Sequence, residues 1–175
     1  NTISINVSQP AIAVRIFRPA SSGVTTLVPS GQCASASPQN GLRGDDQSIP
    51  LAATDAISAG ERLVLQISTP QMNRDPASIE TVWVEMQADG QDLERFGFRE
   101  TANSSGVFAG VVSTQRADRG FTRSDCQLAV KGGQLVQLAI LDVYGRQVPV
   151  GTVRILVDPF GLVVDSQDGR PVSGA

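Results

Sequence analysis

Histidine, the side chain most often used as a general base or zinc ligand, is absent from this 175-residue chain. Serine and cysteine nucleophiles normally need such a base beside them. The chain's one lysine, Lys131, could replace it in serine–lysine chemistry, but the sequence of residues 130–134 predicts a plain hairpin turn. The residue types therefore argue against nucleophilic catalysis, and we predict that the chain is not an enzyme.

Paired carboxylates are the other arrangement that could do chemistry, because glycosidases need two of them. Asp45 and Asp46 lie together in a long polar segment, whereas Glu94 and Glu100 are predicted on one strand edge. A sugar site would also need an exposed aromatic platform. Trp83, the one tryptophan, follows the alternation of a core strand, so the sequence does not predict a glycosidase.

Loops of aspartate and asparagine suit calcium, which prefers oxygen ligands. The candidates are residues 44–46, Asn73 with Asp75, and Asp165 with Asp168. None has the spacing of an EF-hand loop, and each is better explained as a solvated turn. We predict no cofactor and no metal centre, while the sequence leaves calcium binding in the loops open.

The two cysteines, Cys33 and Cys126, lie far apart in polar, loop-like settings. A metal site would need more ligands at closer spacing. One disulfide is therefore favoured over two free thiols, and it would indicate an oxidising compartment. Such a bond would pin the long polar loop Ser30–Ser48 to the segment before Leu128, because a loop of that length needs an anchor.

The elements that position these residues are predicted to be strands, because apolar and polar residues alternate with a period of two. Seventeen glycines and ten prolines punctuate the chain at turn-like intervals, and the best helix candidate, residues 49–59, is short and contains Pro50. Irregular spacing in the segment that contains Phe96 and Phe98 predicts a bulge near Gly97. About nine strands favour an all-β, immunoglobulin-like sandwich of two antiparallel sheets, with a closed barrel as the alternative. The predicted inter-sheet core is Leu63, Leu65, Val82, Val84, Phe108, Leu138 and Ile140.

The overall composition excludes some classes of partner. The net charge is −3 and the arginines are dispersed, so the chain lacks the basic patch that nucleic acid requires. It contains no run of about 18 apolar residues that could insert into a membrane. A hydrophobic content of 41% is sufficient for a folded core.

One pattern, between residues 59 and 112, resembles an immunoglobulin-like repeat of bacterial cell-surface proteins. The residues that carry the resemblance are Asn73-Arg74-Asp75-Pro76, Glu80-Thr81-Val82, Asp92, Glu100-Thr101 and Ser105-Gly106-Val107-Phe108 with Gly110. From the residues themselves we expect the polar members, Asn73, Asp75, Glu100 and Thr101, to satisfy backbone groups in turns.

The last segment, residues 158–175, looks like the opening of a carboxypeptidase-regulatory-like β-sandwich module. Asp158-Pro159-Phe160-Gly161 leads into Leu162-Val163-Val164-Asp165, and Gly169-Arg170-Pro171-Val172-Ser173-Gly174-Ala175 follows. We therefore expect one immunoglobulin-like domain over residues 1–157, then a linker and the first strand of a following module. Both resemblances imply binding or spacer modules of large exported proteins.

Two functions from different classes follow. The leading hypothesis is a non-catalytic structural or adhesive module of an extracellular, cell-surface or periplasmic bacterial protein. Its partners would be neighbouring domains or copies of itself, reached through the terminal strands Thr2–Val7 and Leu162–Val164. The alternative is a β-sandwich that binds a carbohydrate or another ligand through loops at one end. Exposed aromatic side chains at the loop tips would favour it, and the sequence offers very few of them.

Overall fold

A computed structural model of the protein describes residues 12–34, 48–88, 92–141 and 147–157, with the backbone alone for residues 119 and 147–156. It is nearly all β, with two single 3-10 turns at Pro70–Met72 and Ala117–Arg119. The strands are β1 Ala13–Pro19, β2 Thr25–Leu27, β3 Ile49–Thr54, β4 Arg62–Ser68, β5 Thr81–Ala88, β6 Asp92–Glu100, β7 Val107–Arg116, β8 Leu128–Val130, β9 Leu135–Leu141 and β10 Gln147–Leu156.

The sheet runs in the order β10-β9-β5-β6-β7-β4-β1-β3-β2, and each neighbouring pair is antiparallel. Strand β8 lies off this path and pairs with β7 in parallel. The junction of β6 with β7 is short, because only Arg99 and Glu100 pair there, with Ala109 and Phe108. The sheet folds over at this junction, and its two halves form the predicted all-β sandwich.

The main core lies between the two halves of the folded sheet. All seven residues predicted for the core belong to it, and each is at most 6% exposed. Alternation explains why the prediction was correct, since Leu63, Leu65 and Ile67 of β4 point to one side of the strand. Aromatic side chains from both halves, Phe96, Phe98 and Phe108, are buried in the same cluster.

A second, smaller apolar cluster lies on the opposite face of the half-sheet that contains β1, β3, β4 and β7. Phe17, Leu51, Val64 and Ala109 form it, and each is at most 4% exposed. Because successive side chains of a strand point to opposite faces, Val64 can enter this cluster while its neighbours fill the main core. This half-sheet is therefore apolar on both faces.

Three local predictions were wrong. The pairing of β5 with β6 is uninterrupted from Thr81 to Ala88, so there is no bulge at Gly97. Trp83 faces away from the core and is 36% exposed, because it lies between the inward-facing Val82 and Val84. The turn that contains Lys131 connects β8 to β9, but these strands lie in different parts of the sheet and are not paired as a hairpin.

Candidate functional site

Strands β6 and β7 separate beyond their two paired residues, and residues 30–34, here called the first insert, fill the gap. The backbone of Ser30 bonds to β7, through its own N–H to Ala109 at 3.0 Å and from Val111 N–H at 2.8 Å. The same segment then bonds to β6, where Gln32 O accepts Gly97 N–H at 3.0 Å. The first insert thus satisfies edge groups on both diverging strands, as buried backbone requires.

Residues 124–130, the second insert, fill the rest of the gap with help from two carboxyl groups on β6. Glu94 accepts the backbone N–H groups of Asp125, at 3.1 Å, and Cys126, at 2.9 Å. Asp92 Oδ2 accepts Ala129 N–H at 2.7 Å. Here side-chain oxygens replace the carbonyl groups that a neighbouring strand would supply.

The predicted disulfide between Cys33 and Cys126 is present and joins the two inserts. The Cα atoms are 5.8 Å apart, and the bridge closes a sequence separation of 93 residues. Cys126 adopts a φ of 72°, a left-handed conformation that costs free energy outside glycine. The disulfide and the two N–H bonds to Glu94 hold this conformation in place.

Asp92 and Glu94 are the most deeply buried ionisable side chains that the structure describes, since they are 1% and 0% exposed. Burial raises the pKa of Glu94 to about 7, although its bonds to the Cys126 and Asp125 backbone oppose the shift, and the nearby Asp92 and Asp125 carboxylates add to it. Burial likewise raises the pKa of Asp92, against the bond from Ala129. Asp92 Oδ1 is buried and accepts no hydrogen bond from the described residues.

The raised pKa of Glu94 predicts that the folded state loses stability as the solution becomes neutral. A carboxyl group whose folded pKa lies above its unfolded value stabilises the fold when protonated, and this contribution is lost as the pH rises. For Glu94 the window runs from about 4.5, the unfolded value, to about 7. Urea unfolding at pH 5 and at pH 8 should therefore give a higher free energy of unfolding at the lower pH.

The Glu94→Gln variant tests whether Glu94 carries this pH dependence, because glutamine has the same shape and does not titrate. We expect the difference between pH 5 and pH 8 to shrink in this variant. Glu85→Gln is the matched control, since Glu85 lies on the opposite face of the half-sheet and pairs with Arg95 at 3.0 Å. An unchanged pH dependence in Glu94→Gln would contradict the assignment.

The polar residues of the sequence pattern come together at one corner of the sandwich, where the β4–β5 and β6–β7 connections meet. Glu80 Oε2 accepts the N–H groups of Arg74, at 2.6 Å, and Asp75, at 3.2 Å. Glu100, which is 2% exposed, accepts Gly106 N–H at 2.8 Å. The two carboxylates therefore stabilise the two connections from within.

Asn73 and Asp75 lie in the first of these connections, where both side chains bond to residues of the turns. Asp75 Oδ1 accepts Ala77 N–H at 2.9 Å, while Oδ2 accepts the Ser78 hydroxyl at 2.7 Å, and these bonds lower the pKa of Asp75. Asn73 donates from Nδ2 to Ser104 Oγ at 3.1 Å. The described residues contain no cluster of three metal-ligating side chains, whereas residues 44–46, Asp165 and Asp168 lie outside them.

The second connection explains the remaining residues of the pattern. Gly106 has a φ of 60°, and a Cβ atom there would lie 2.6 Å from Pro70 Cα, so no other residue fits without movement. Thr101 donates its N–H to Val107 O at 2.8 Å, and its hydroxyl contacts Ser105 Oγ rather than a backbone N–H. Phe108 then begins the buried part of β7.

A half-buried ion pair between β1 and the turn before β4 was not predicted. The Arg18 guanidinium contacts Glu61 through two bonds, of 2.6 Å and 3.1 Å, and also donates to Ser58 Oγ at 3.1 Å. Glu61 Oε1 in turn accepts Ser58 N–H at 2.5 Å. Sequence alternation gives no signal for this pair, because its members are 43 residues apart.

No protein-family model matches this chain, and a search of curated proteins found none that matches. The immunoglobulin-like repeat and the following module therefore remain predictions from the residue pattern. Function has to be inferred from what the described side chains do.

The described carboxyl groups at the gap and at the corner are used within the fold. The carboxyl groups of Asp75, Glu80, Glu94 and Glu100 all accept hydrogen bonds from the backbone of their own fold. The hydroxyl of Thr114 similarly accepts Gly60 N–H at 3.0 Å. In the described part of the chain, no helix has the length and apolar character needed to cross a membrane.

Proposed function

We propose that this chain is a non-catalytic structural or adhesive module of a large exported bacterial surface, matrix or filament protein. The observation that supports this best is the disulfide-linked pair of inserts, which closes the gap between β6 and β7. The carboxyl groups of Asp92 and Glu94 on β6 and the two cysteines of the inserts all hold backbone segments together. An acid or base in an active site would instead have to reach a substrate.

The disulfide supports export, since such bonds persist in oxidising compartments and are rare in the cytosol. It also supports a load-bearing role. With the bridge intact, the 93-residue separation between Cys33 and Cys126 cannot be stretched out when the chain ends are pulled. An extended chain spans about 3.4 Å per residue, so the disulfide prevents roughly 300 Å of extension in each module.

We further propose that the partners are neighbouring domains or copies of the same chain, bound through the terminal strands. Thr2–Val7 and Leu162–Val164 have the apolar content of strands, although both lie outside the described residues. An added strand gains affinity from main-chain bonds and register from alternating side chains. Head-to-tail contacts of this kind can extend into a filament.

The proposal predicts that the protein is displayed outside the cell with its two cysteines bonded. Intact cells of the source bacterium should bind an antibody raised against this chain. Protein recovered under denaturing conditions should take up no maleimide–polyethylene glycol before reduction and two molecules afterwards. An antibody against a cytoplasmic protein, which should label only broken cells, is the control.

Labelling that requires cell breakage, together with two free thiols before reduction, would place the protein in the cytosol and overturn the proposal. A Cys33→Ala, Cys126→Ala double variant separates the two readouts. It should take up no maleimide before or after reduction, while any effect on display is read from the antibody alone.

A further inference from the structure

Trp83 is the chain's one tryptophan, and it lies on the outer face of the half-sheet formed by β10, β9, β5 and β6. It is 36% exposed, although its neighbours on both sides along β5 are buried. In register it stands between Gly97 on β6 and Leu141 on β9. A large aromatic side chain in the middle of an outer sheet face has no role in the main core.

The indole ring lies beside Gly97 of β6, which has no side chain on this face. A Cβ atom built on Gly97 would be 3.5 Å from Trp83 Cζ3, and it would also be 3.1 Å from Gln32 Cβ. Ring and glycine therefore form a shallow floor, with the Gln32 side chain at one end. The first insert, which carries Gln32, is fixed in this position by the disulfide at Cys33.

Polar groups lie on two sides of this floor, along β5 and β6. On the same face, the next cross-strand pair toward the end of β5 is Glu85 with Arg95, whose side chains form a hydrogen bond of 3.0 Å. The cross-strand pair toward the start of β5 on that face is Thr81 with Arg99. Next to the indole, a cavity of about 70 Å³ also borders Leu141. That volume admits a substituent of a few atoms rather than a second ring.

This combination limits the type of occupant. A helix or a lipid surface would need a broad apolar patch, whereas here a single aromatic ring is bordered by arginine, glutamate and glutamine side chains. The occupant must present one apolar face and a polar edge. A pyranose ring does so, because the C–H bonds of one face can lie on the electron-rich indole while the hydroxyl groups reach donors and acceptors around it.

We propose that the outer face around Trp83 binds a pyranose unit of a polysaccharide. The ring stacks on the indole, and an exocyclic substituent enters the cavity beside it. Arg95 and Gln32 provide donors and acceptors for the ring hydroxyls. This binding activity is additional to the structural role proposed above, and neither depends on the other: a module that binds no sugar could still be exported and disulfide-bonded.

Intrinsic fluorescence reports on this site directly, because all tryptophan emission comes from Trp83. We expect xylan or sodium alginate to shift that emission saturably and to reduce its quenching by acrylamide. Retention on insoluble cellulose and chitin extends the test to polysaccharides that do not dissolve. Because the Trp83 variants contain no tryptophan, their binding is compared with that of the wild type by retention or by isothermal titration calorimetry. Trp83→Ala should weaken binding to the retained or soluble polysaccharide at least tenfold, and Trp83→Phe should weaken it less.

Phe121→Ala is the matched control, since Phe121 is also an exposed aromatic residue, at 44%, but lies in a loop after β7. It should bind as the wild type does. Thermal unfolding of Trp83→Ala near the wild-type temperature would show that lost binding is not lost folding. The proposal is overturned if none of the four polysaccharides is bound, or if the two alanine variants weaken binding equally.

Discussion

Replacing both Cys33 and Cys126 with alanine should lower the free energy of unfolding by about 4–5 kcal/mol. The bond closes a separation of 93 residues, and a cross-link over so long a loop removes much of the entropy of the unfolded chain. The folded state also loses its link between the two inserts. Urea unfolding of wild type and double variant, at one pH and without reductant, measures the difference.

Dithiothreitol provides the internal control for this prediction. Reduction should lower the stability of the wild-type protein to about that of the double variant, and it should leave the variant unchanged. If the wild-type unfolding midpoint is insensitive to reduction and equal to that of the variant, the disulfide does not stabilise the fold. The role we assign to the linked inserts would then be wrong.

Truncating Phe108 to alanine should cost about 3–5 kcal/mol, because it removes a fully buried aromatic side chain and leaves a cavity. Phe108 is 0% exposed and lies in β7 where the sheet folds, opposite Ile67 of β4 and Glu100 of β6. Both halves of the sandwich therefore lose packing. Chemical denaturation monitored by the emission of Trp83 measures the change.

Phe121→Ala makes the same chemical change at a residue that is 44% exposed, and it should cost no more than about 0.5 kcal/mol. Because both variants replace phenylalanine with alanine, the difference between their losses in unfolding free energy measures the effect of burial. A loss of less than about 1 kcal/mol in Phe108→Ala would place Phe108 at the surface and refute the core that we describe.

Strand β6 shows where sequence reasoning failed. Its inward positions are Asp92, Glu94, Phe96, Phe98 and Glu100, a regular alternation in which three members are acidic. Hydrophobic patterning treats acids as solvent-facing, so the strand seemed irregular and a bulge was predicted. Glu100 faces inward because it accepts the N–H of Gly106 in the following turn. Asp92 and Glu94 face inward because they accept backbone N–H groups of residues 31 to 37 positions away, and a one-dimensional pattern does not contain those donors.

Trp83 illustrates the opposite error. Its neighbours Val82 and Val84 made the whole strand resemble a buried one, and the tryptophan was assigned to the core with them. Strict alternation along β5 places Trp83 on the outer face of the sheet, where the structure has it. Its cross-strand partner on that face is Gly97 of β6, and only the strand register identifies this pairing.

The sequence by itself determined the strands, the main core and the disulfide. A period of two makes one face of each strand apolar, and that face must be buried wherever the strands pair, so local residues suffice. Only the tertiary structure decided how β6 and β7 diverge, which segments fill the gap and which carboxyl groups lose contact with water. Those outcomes depend on hydrogen bonds between residues far apart in the sequence, such as Asp125 with Glu94 and Gly97 with Gln32, and chain folding alone brings these together.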